Sequence, residues 1–249
     1  MIGVVIPAHN ECERIGAALA AVQLAAAHPA LAGEAVEVVV VLDSCSDATE
    51  DVVLAHGVAR LSLAARNVGI ARARGAELCI EAGARWLAFT DADTVVSPDW
   101  LVMQLAEQAD AVCGCVAVED WSVHGTEGER VQAHFDSRYT HADGHRHVHG
   151  ANLGVAAEAY RRAGGFAPLA CSEDVALVES LTAIGARIAW SAGPRVTTSA
   201  RTDARARGGF GDTLLAMVAA LAPVVPVPLS MPVPVPVPMP LLGFSRASP

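Results

Sequence analysis

The sequence predicts an α/β fold. One domain, residues 1–221, carries a mostly parallel central sheet with helices on both faces, and a Pro/Val-rich tail, residues 222–249, follows it. Three observations lead there. Short apolar, β-branched runs alternate with Ala-rich helical stretches through the first hundred residues. Those runs are apolar at nearly every position, as in strands buried on both faces, rather than alternating apolar with polar. Three of them end in polar clusters, which is where open α/β sheets place ligands.

The elements follow in order. Gly3 to Ile6 reads as a short buried strand stopped by Pro7, and Glu11 to about Ala27 as an Ala-rich helix. Val36 to Leu42 is a second strand, closed by Asp43-Ser44-Cys45-Ser46-Asp47. A helix to His56 fits next, capped by Ser46 or Asp47. Arg60 to Ala64 is a third strand, and Ile70 to Ala82 a helix ended by Gly83. Trp86 to Thr90 is a fourth strand, and Pro98 to Gln108 a helix with Pro near its first turn. Asp110 to Val118 reads as a strand that opens the second half, about 111–221. Glu119 to His149 is polar, lacks a period and holds His141, His145, His147 and His149. It reads as a mobile, solvated loop with incidental histidines. Helices are expected over Ala156 to Ala163 and Ser172 to Ile184, then a strand over Arg187 to Ser191.

The net charge is −10 with no basic run, which excludes the electrostatic footprint of a nucleic-acid binder. The six cysteines contain no C-x-x-C pair and read as reduced, mostly buried thiols of a cytoplasmic protein. The opening MIGVVIPAHNE has neither the basic start nor the long apolar core of a signal peptide. The apolar stretch from Leu214 to Leu242 holds eight prolines between Pro223 and Pro240, so it is no ordinary membrane helix. Its Pro-Val alternation favours an extended, disordered appendage, with weak contact to a partner protein or to the inner face of a membrane as its possible role.

The chemistry begins with Thr90-Asp91-Ala92-Asp93. On an extended segment, carboxylates at i and i+2 point the same way, so Asp91 and Asp93 aim two like charges at one spot. Such a pair raises its own pKa values or takes a hard cation such as Mg2+. A lone pair of Asp is also common turn chemistry. Three polar clusters at consecutive strand ends, Pro7 to Glu11, Asp43 to Asp47 and Asp91 to Asp93, go beyond that.

Six motifs in order resemble the GT-A (Rossmann-like) glycosyltransferases, most closely family 2. They are Val4-Val5-Ile6-Pro7-Ala8-His9-Asn10-Glu11, Asp43-Ser44-Cys45-Ser46-Asp47-Ala48-Thr49, Arg66-Asn67-Val68-Gly69 with Arg72, Asp91-Ala92-Asp93, Gly150-Ala151-Asn152 with Gly164-Gly165-Phe166, and Glu173-Asp174. The resemblance implies a transfer from a UDP- or GDP-sugar, with inversion, to an acceptor hydroxyl. It implies that Pro7, Ala8, Asn10 and Glu11 line the base and ribose and that Asp43 accepts a base N–H. Asn67, Gly69 and Arg72 flank the base or diphosphate, and Asp91 and Ala92 the ribose. Asp93, with Asp91 and His149, or His147 in its place, holds Mn2+ or Mg2+. Gly150, Ala151 and Asn152 shape the sugar and acceptor side, and Asp174, ahead of Glu173, is the base. Arg201, Arg205 and Arg207 close over the diphosphate or form a solvated loop.

Departures from the pattern narrow this. Leu42 and Ser44-Cys45 replace a second acid and a Gly-Ser, and no Q/R-x-x-R-W follows Glu173-Asp174, so the pattern points to single-sugar transfer rather than a processive synthase. Two other readings stand beside it. A sugar nucleotidyltransferase prefers a Gly-rich basic loop after the first strand, where Pro7 to Glu11 has neither Gly nor Lys. A non-catalytic binding or scaffold protein would dock through its tail, and the retained Asp91, Asp93 and Asp174 count against it.

Overall fold

The computed structural model describes residues 1–118 and 120–201. The tail from residue 222, and with it the docking role read for it, lies outside the described residues, as do Arg205 and Arg207. In chain order the elements are β1 (Ile2–Ala8), α1 (Ile15–Ala26), β2 (Val36–Asp43), α2 (Thr49–Ala55), β3 (Ala59–Leu63), α3 (Val68–Glu81), β4 (Trp86–Phe89), β5 (Thr94–Val96), α4 (Trp100–Ala106), β6 (Ala111–Val118), α5 (Gly128–Arg138), β7 (Leu153–Ala156), α6 (Ala157–Arg162), α7 (Glu173–Ala183) and β8 (Ile188–Thr198). The strands form one sheet in the order β3-β2-β1-β4-β7-β6-β8-β5.

The first four strands pair parallel, with Val5 of β1 opposite both Val39 of β2 and Phe89 of β4. β7 then enters antiparallel between β4 and β6, while β6 and β8 run parallel. The fold class is the expected one: a mixed sheet, parallel over its first four strands, with apolar side chains buried on both faces. Val4, Ile6, Val38 and Val40 pack against Ile15, Leu19 and Val22 of α1 on one face. Val5, Val39 and Val41 pack against Ala71, Ala76 and Cys79 of α3 on the other, with Leu177 and Leu181 of α7 in the same cluster. Burying such side chains contributes roughly 1.5–3 kcal/mol each.

Pro7 does not stop β1. The Val5 carbonyl accepts from Thr90 N, so Val5, and Pro7 two residues on, turn their backbone groups to the β4 side. Pairing with β4 has ended there, at Val5 opposite Phe89, and the missing N–H of Pro7 breaks no ladder bond. The segment expected as a solvated loop, 119–149, instead contains α5. Its Val131 and Phe135, one turn apart, pack on Trp121 and Ala200 in a small core of their own. Two apolar residues in an 11-residue helix leave too faint a period to be read from the sequence. Two strands were also missed, β5 and β7, at three and four residues long. Among the described residues no helix is long and apolar enough to cross a membrane.

Candidate active site

The ends of β1, β2 and β4, the start of α3 and the start of α7 open onto one pocket of about 550 Å³. Of the residues expected at the site, Pro7, Ala8, Glu11, Asp43, Asn67, Arg72, Asp91, Ala92, Asp93, His149, Gly150, Ala151, Glu173 and Asp174 line it. Asn10, Gly69 and Asn152 do not. The Asn10 side chain accepts from Ser46 N at 2.7 Å and ties the β1 end to the β2 end. Gly69 is where α3 meets the 167–169 strand of loop, and a Cβ there would lie 2.2 Å from the Ala167 carbonyl. Asn152 is buried, accepts from the Trp100 indole and donates to the carbonyls of Cys115 and Pro194. All three hold the walls of the pocket rather than face into it. Ala170, Cys171, Ser172, Val116, Thr198 and Ser199 also line it and carried no motif that would have marked them.

Asp43 shows how the β2 end is organised. Its Oδ1 accepts from Ala65 N, Arg66 N and the Ser44 hydroxyl, and its Oδ2 from Asn67 N. Burial pushes its pKa up, but the backbone donors of Asn67, Arg66 and Ala65 and the Ser44 hydroxyl outweigh that, and it settles below the usual range. With about two acceptor sites per carboxylate oxygen, Oδ1 is filled and Oδ2 keeps one lone pair. The Asn67 side chain continues the chain of contacts by capping α3 through Ile70 N at 3.0 Å. Replacing Asp43 by Ala therefore strands three backbone donors of a part-buried loop. The expected loss is about 3 kcal/mol, since each unmet buried group costs roughly 1–3 kcal/mol. Thermal unfolding should fall by about 10 °C, and a shift under about 2 °C would contradict this role.

The two carboxylates after β4 are not a bare pair. Arg72, buried, gives one terminal nitrogen to Asp91 at 2.5 Å and the other to the buried carboxylate of Glu173. Arg72 thus spends its charge inside the protein, joining the β4 end to α7. Its guanidinium lies against Gly150, where a Cβ would come within 2.4 Å of Cζ. Asp93 faces Arg201, whose Nε lies 3.2 Å from its Oδ2, and Arg201 also binds Glu11 at 2.6 Å. Burial, opposed by the charge of Arg201 and aided by those of Asp91 and Glu11, pushes the Asp93 carboxyl up to about 6. So the like-charge reading of Asp91 and Asp93 holds in part. Each meets a different arginine, and at Asp93 burial outweighs the charge of Arg201.

Asp174 is held by two backbone donors, Gly150 N to Oδ2 at 2.7 Å and Val175 N to Oδ1 at 2.8 Å. Its neighbour Glu173 is buried in the Arg72 pair. At the other rim, Tyr139 Oη accepts from Val116 N and lies 2.9 Å from His149 Nε2. Burial, with His147 and His145 nearby, pushes His149 down to about 4, so its ring is neutral at pH 7. His147 stacks on Tyr139 with ring centroids 4.0 Å apart and accepts from Thr140 N. His145 accepts from His147 N and lies 3.3 Å from the Ser191 carbonyl. The histidines expected to be incidental in a solvated loop therefore form a packed clamp behind the pocket. His147 does not line it, and Arg195 sits at the surface beside Asp99.

A model of the family described as Glycosyl transferase family 2 matches residues 3–161. The chain is 36% identical over 130 residues to "Succinoglycan biosynthesis protein ExoO" of Rhizobium meliloti (strain 1021), a stretch that covers 51% of this chain and 35% of that protein. It thus spans about a third of the curated relative it matches. Among solved structures, S. aureus TarS 1-349 in complex with UDP-GlcNAc superposes with a TM-score of 0.57 at 14% identity, covering 88% of this chain and 65% of that one. The mannosyltransferase PcManGT from Pyrobaculum calidifontis, in complex with GDP-Man and Mn2+, gives 0.58 at 18% identity, covering 82% and 58%. Glucosyl-3-phosphoglycerate synthase from Mycobacterium tuberculosis, in complex with Mn2+ and UDP-Glc, gives 0.53 at 18% identity, covering 88% and 75%. These structures share the fold, and the family match takes in the ends of β1, β2 and β4 as well as Gly150, Ala151 and Asn152. The chain belongs to glycosyl transferase family 2.

Proposed function

We propose that this chain transfers a single sugar, with inversion, from a nucleotide-diphosphate sugar to an acceptor hydroxyl, using a divalent cation held at Asp93 and Asp174 as the base. The observation that carries the reading is the convergence of the three strand-end clusters with Asp174 on one pocket. The solved structures of the same fold are complexes with UDP-GlcNAc, GDP-Man or UDP-Glc, two of them with Mn2+. On this reading Pro7, Ala8 and Glu11 border the base and ribose, and the remaining lone pair of Asp43 Oδ2 receives a base N–H.

The donor set around Asp93 suits a hard cation. Asp93 and Asp91 offer carboxylate oxygens, and at Asp93 burial outweighs the charge of Arg201. Among the described residues no three His, Cys, Asp or Glu side chains group to hold a metal by themselves. That matches a cation bound through one or two carboxylates and completed by substrate phosphates. Asp93 would hold it, with Asp91 and His149 at the same rim. When bound, it supplies Lewis-acid stabilisation to the leaving diphosphate.

The chain's own residues do the rest. The acceptor oxygen attacks the anomeric carbon as the bond from that carbon to the phosphate oxygen breaks, and the hydroxyl proton passes to Asp174. A single displacement inverts the centre. The two backbone donors on Asp174 fix the direction of its lone pairs, while Glu173, already paired with Arg72, is not available as a base.

Calorimetric titration with a panel of nucleoside diphosphates, with and without Mn2+ or Mg2+, tests this. One nucleotide should bind, and only with metal. A folded protein that binds none of them would overturn the reading in favour of a non-catalytic member of the fold.

A further inference from the structure

Arg201 is already on the carboxylate that the proposed cation needs. It follows β8 closely, and its side chain lines the pocket and joins the segments after β1 and β4. Its Nη1 lies 2.6 Å from Glu11 Oε1 and 2.8 Å from Oε2, and its Nε lies 3.2 Å from Asp93 Oδ2. The backbone beneath the side chain is anchored. Ala200 is buried against Trp121, Val131 and Phe135, and Arg201 N donates to Ser199 Oγ at 3.3 Å. Of the two arginines on these carboxylates, Arg201 is the one able to yield. Arg72 serves both Asp91 and Glu173, is wedged against Gly150, and has a side chain only 4% exposed. The Arg201 side chain is 13% exposed, and its contact with Asp93 is longer than its contact with Glu11. A turn of the guanidinium about Nη1 releases Asp93 and leaves Glu11 paired.

We propose that Arg201 is the resident counter-cation of Asp93: it competes with the bare divalent cation for that carboxylate, so the form the site takes up is the metal–nucleotide complex. The proposal rests on the reading of Asp93 as the residue that holds the metal. A divalent cation and a guanidinium on one carboxylate are like charges only a few ångströms apart, and in a largely buried site water screens them little. The bare cation therefore has to displace Arg201 from Asp93 with little besides one or two carboxylates to receive it. A cation carried by a diphosphate arrives with phosphate oxygens already in its shell. The negative charge of those phosphates also offsets the repulsion from Arg201. The alternative is that Arg201 is a fixed bolt between the segments after β1 and β4, with no part in cation binding.

Mn2+ binding without nucleotide tests this on the full chain, read from the electron paramagnetic resonance of free Mn2+. Arg201→Ala should bind Mn2+ at least about tenfold more tightly than wild type, because a competing charge has gone. Adding Asp93→Asn to that variant should remove the gain. Millimolar methylguanidinium, which can refill the space left by the side chain, should also remove most of the gain and leave wild type unchanged. Circular dichroism and thermal unfolding check the fold, and Arg201→Gln, which keeps most of the side chain without its charge, serves if the alanine variant does not fold. Mn2+ affinity in the folded variant equal to or below that of wild type would overturn the proposal, and is what a fixed bolt predicts. A gain that survives methylguanidinium or Asp93→Asn would overturn it as well. Nucleoside diphosphate titrations with Mn2+ separate this from the underlying reading. Mn2+-dependent nucleotide binding in wild type, with no tighter Mn2+ binding in Arg201→Ala, sinks the competition alone. Nucleotide binding indifferent to Mn2+ in both proteins removes the metal from Asp93 and the proposal with it.

Discussion

Asp93→Asn is expected to make nucleoside diphosphate binding indifferent to Mn2+, with a loss of at least about 100-fold in affinity at pH 7, or about 2.7 kcal/mol. The reason is electrostatic. The pocket gathers Glu11, Asp91 and Asp93, and a diphosphate adds further negative charge to it. Arg72 and Arg201 are already committed to those carboxylates, so the positive charge left to meet a diphosphate is that of Arg66 and of a bound cation. The same residue sets a pH dependence. Burial holds the Asp93 carboxyl up at about 6, above its value in an unfolded chain. Its contribution to the stability of the metal-free protein is therefore full below pH 4 and lost as pH rises through about 6. Metal binding requires the ionised form, so metal-dependent affinity should fall as pH drops through 6, with a proton released on binding near that pH. Calorimetry in buffers of different ionisation enthalpy reads that proton directly. Wild-type affinity for metal plus nucleotide in Asp93→Asn would remove Asp93 from the site.

Asp174→Asn should leave nucleotide binding within about twofold of wild type and lower transfer by about 1,000-fold, within the 10²–10⁴ range of a general base. The amide can keep only one of the two backbone bonds, because its nitrogen faces the N–H of either Gly150 or Val175. A modest loss of stability, on the order of 1–2 kcal/mol, accompanies the change and is measured separately by thermal unfolding. Turnover within about tenfold of wild type would move the base elsewhere. Glu173 would be a poor second choice, since neutralising it uncovers the buried Arg72 and destabilises the fold itself.

The first half was readable because its strands are buried on both faces. Val38 to Leu42 and Trp86 to Phe89 have no polar position to interrupt them, and each is followed by its acidic cluster. The second half was legible only in fragments. β7 is four residues long and antiparallel to both of its neighbours, so neither length nor alternation marks it. Charge partners were the other gap. Nothing in the spacing of Arg72, Asp91 and Glu173 announces that they meet, because they come together over separations of 19 and 101 residues through the fold. The sequence pointed Arg72 at the donor; in the structure it lines the pocket while pairing with Asp91 and Glu173. The histidines mislead for a similar reason. Their ladder is closed by Tyr139, which does not stand out in a polar stretch, and by Trp190, which comes from β8.

Arg72 has a bearing on how such a domain can be recombined. It belongs to α3, yet its guanidinium is seated against the backbone of Gly150 and on the carboxylate of Glu173, both from beyond residue 111. The seam between the two halves is thus written in three residues that have to travel together. A chimera that joins this first half to another second half would inherit a buried cation, and any side chain at the position of Gly150 would evict it. Exchange of the second half by grafting is confined, for this chain, to partners with a glycine and an acid at those two places.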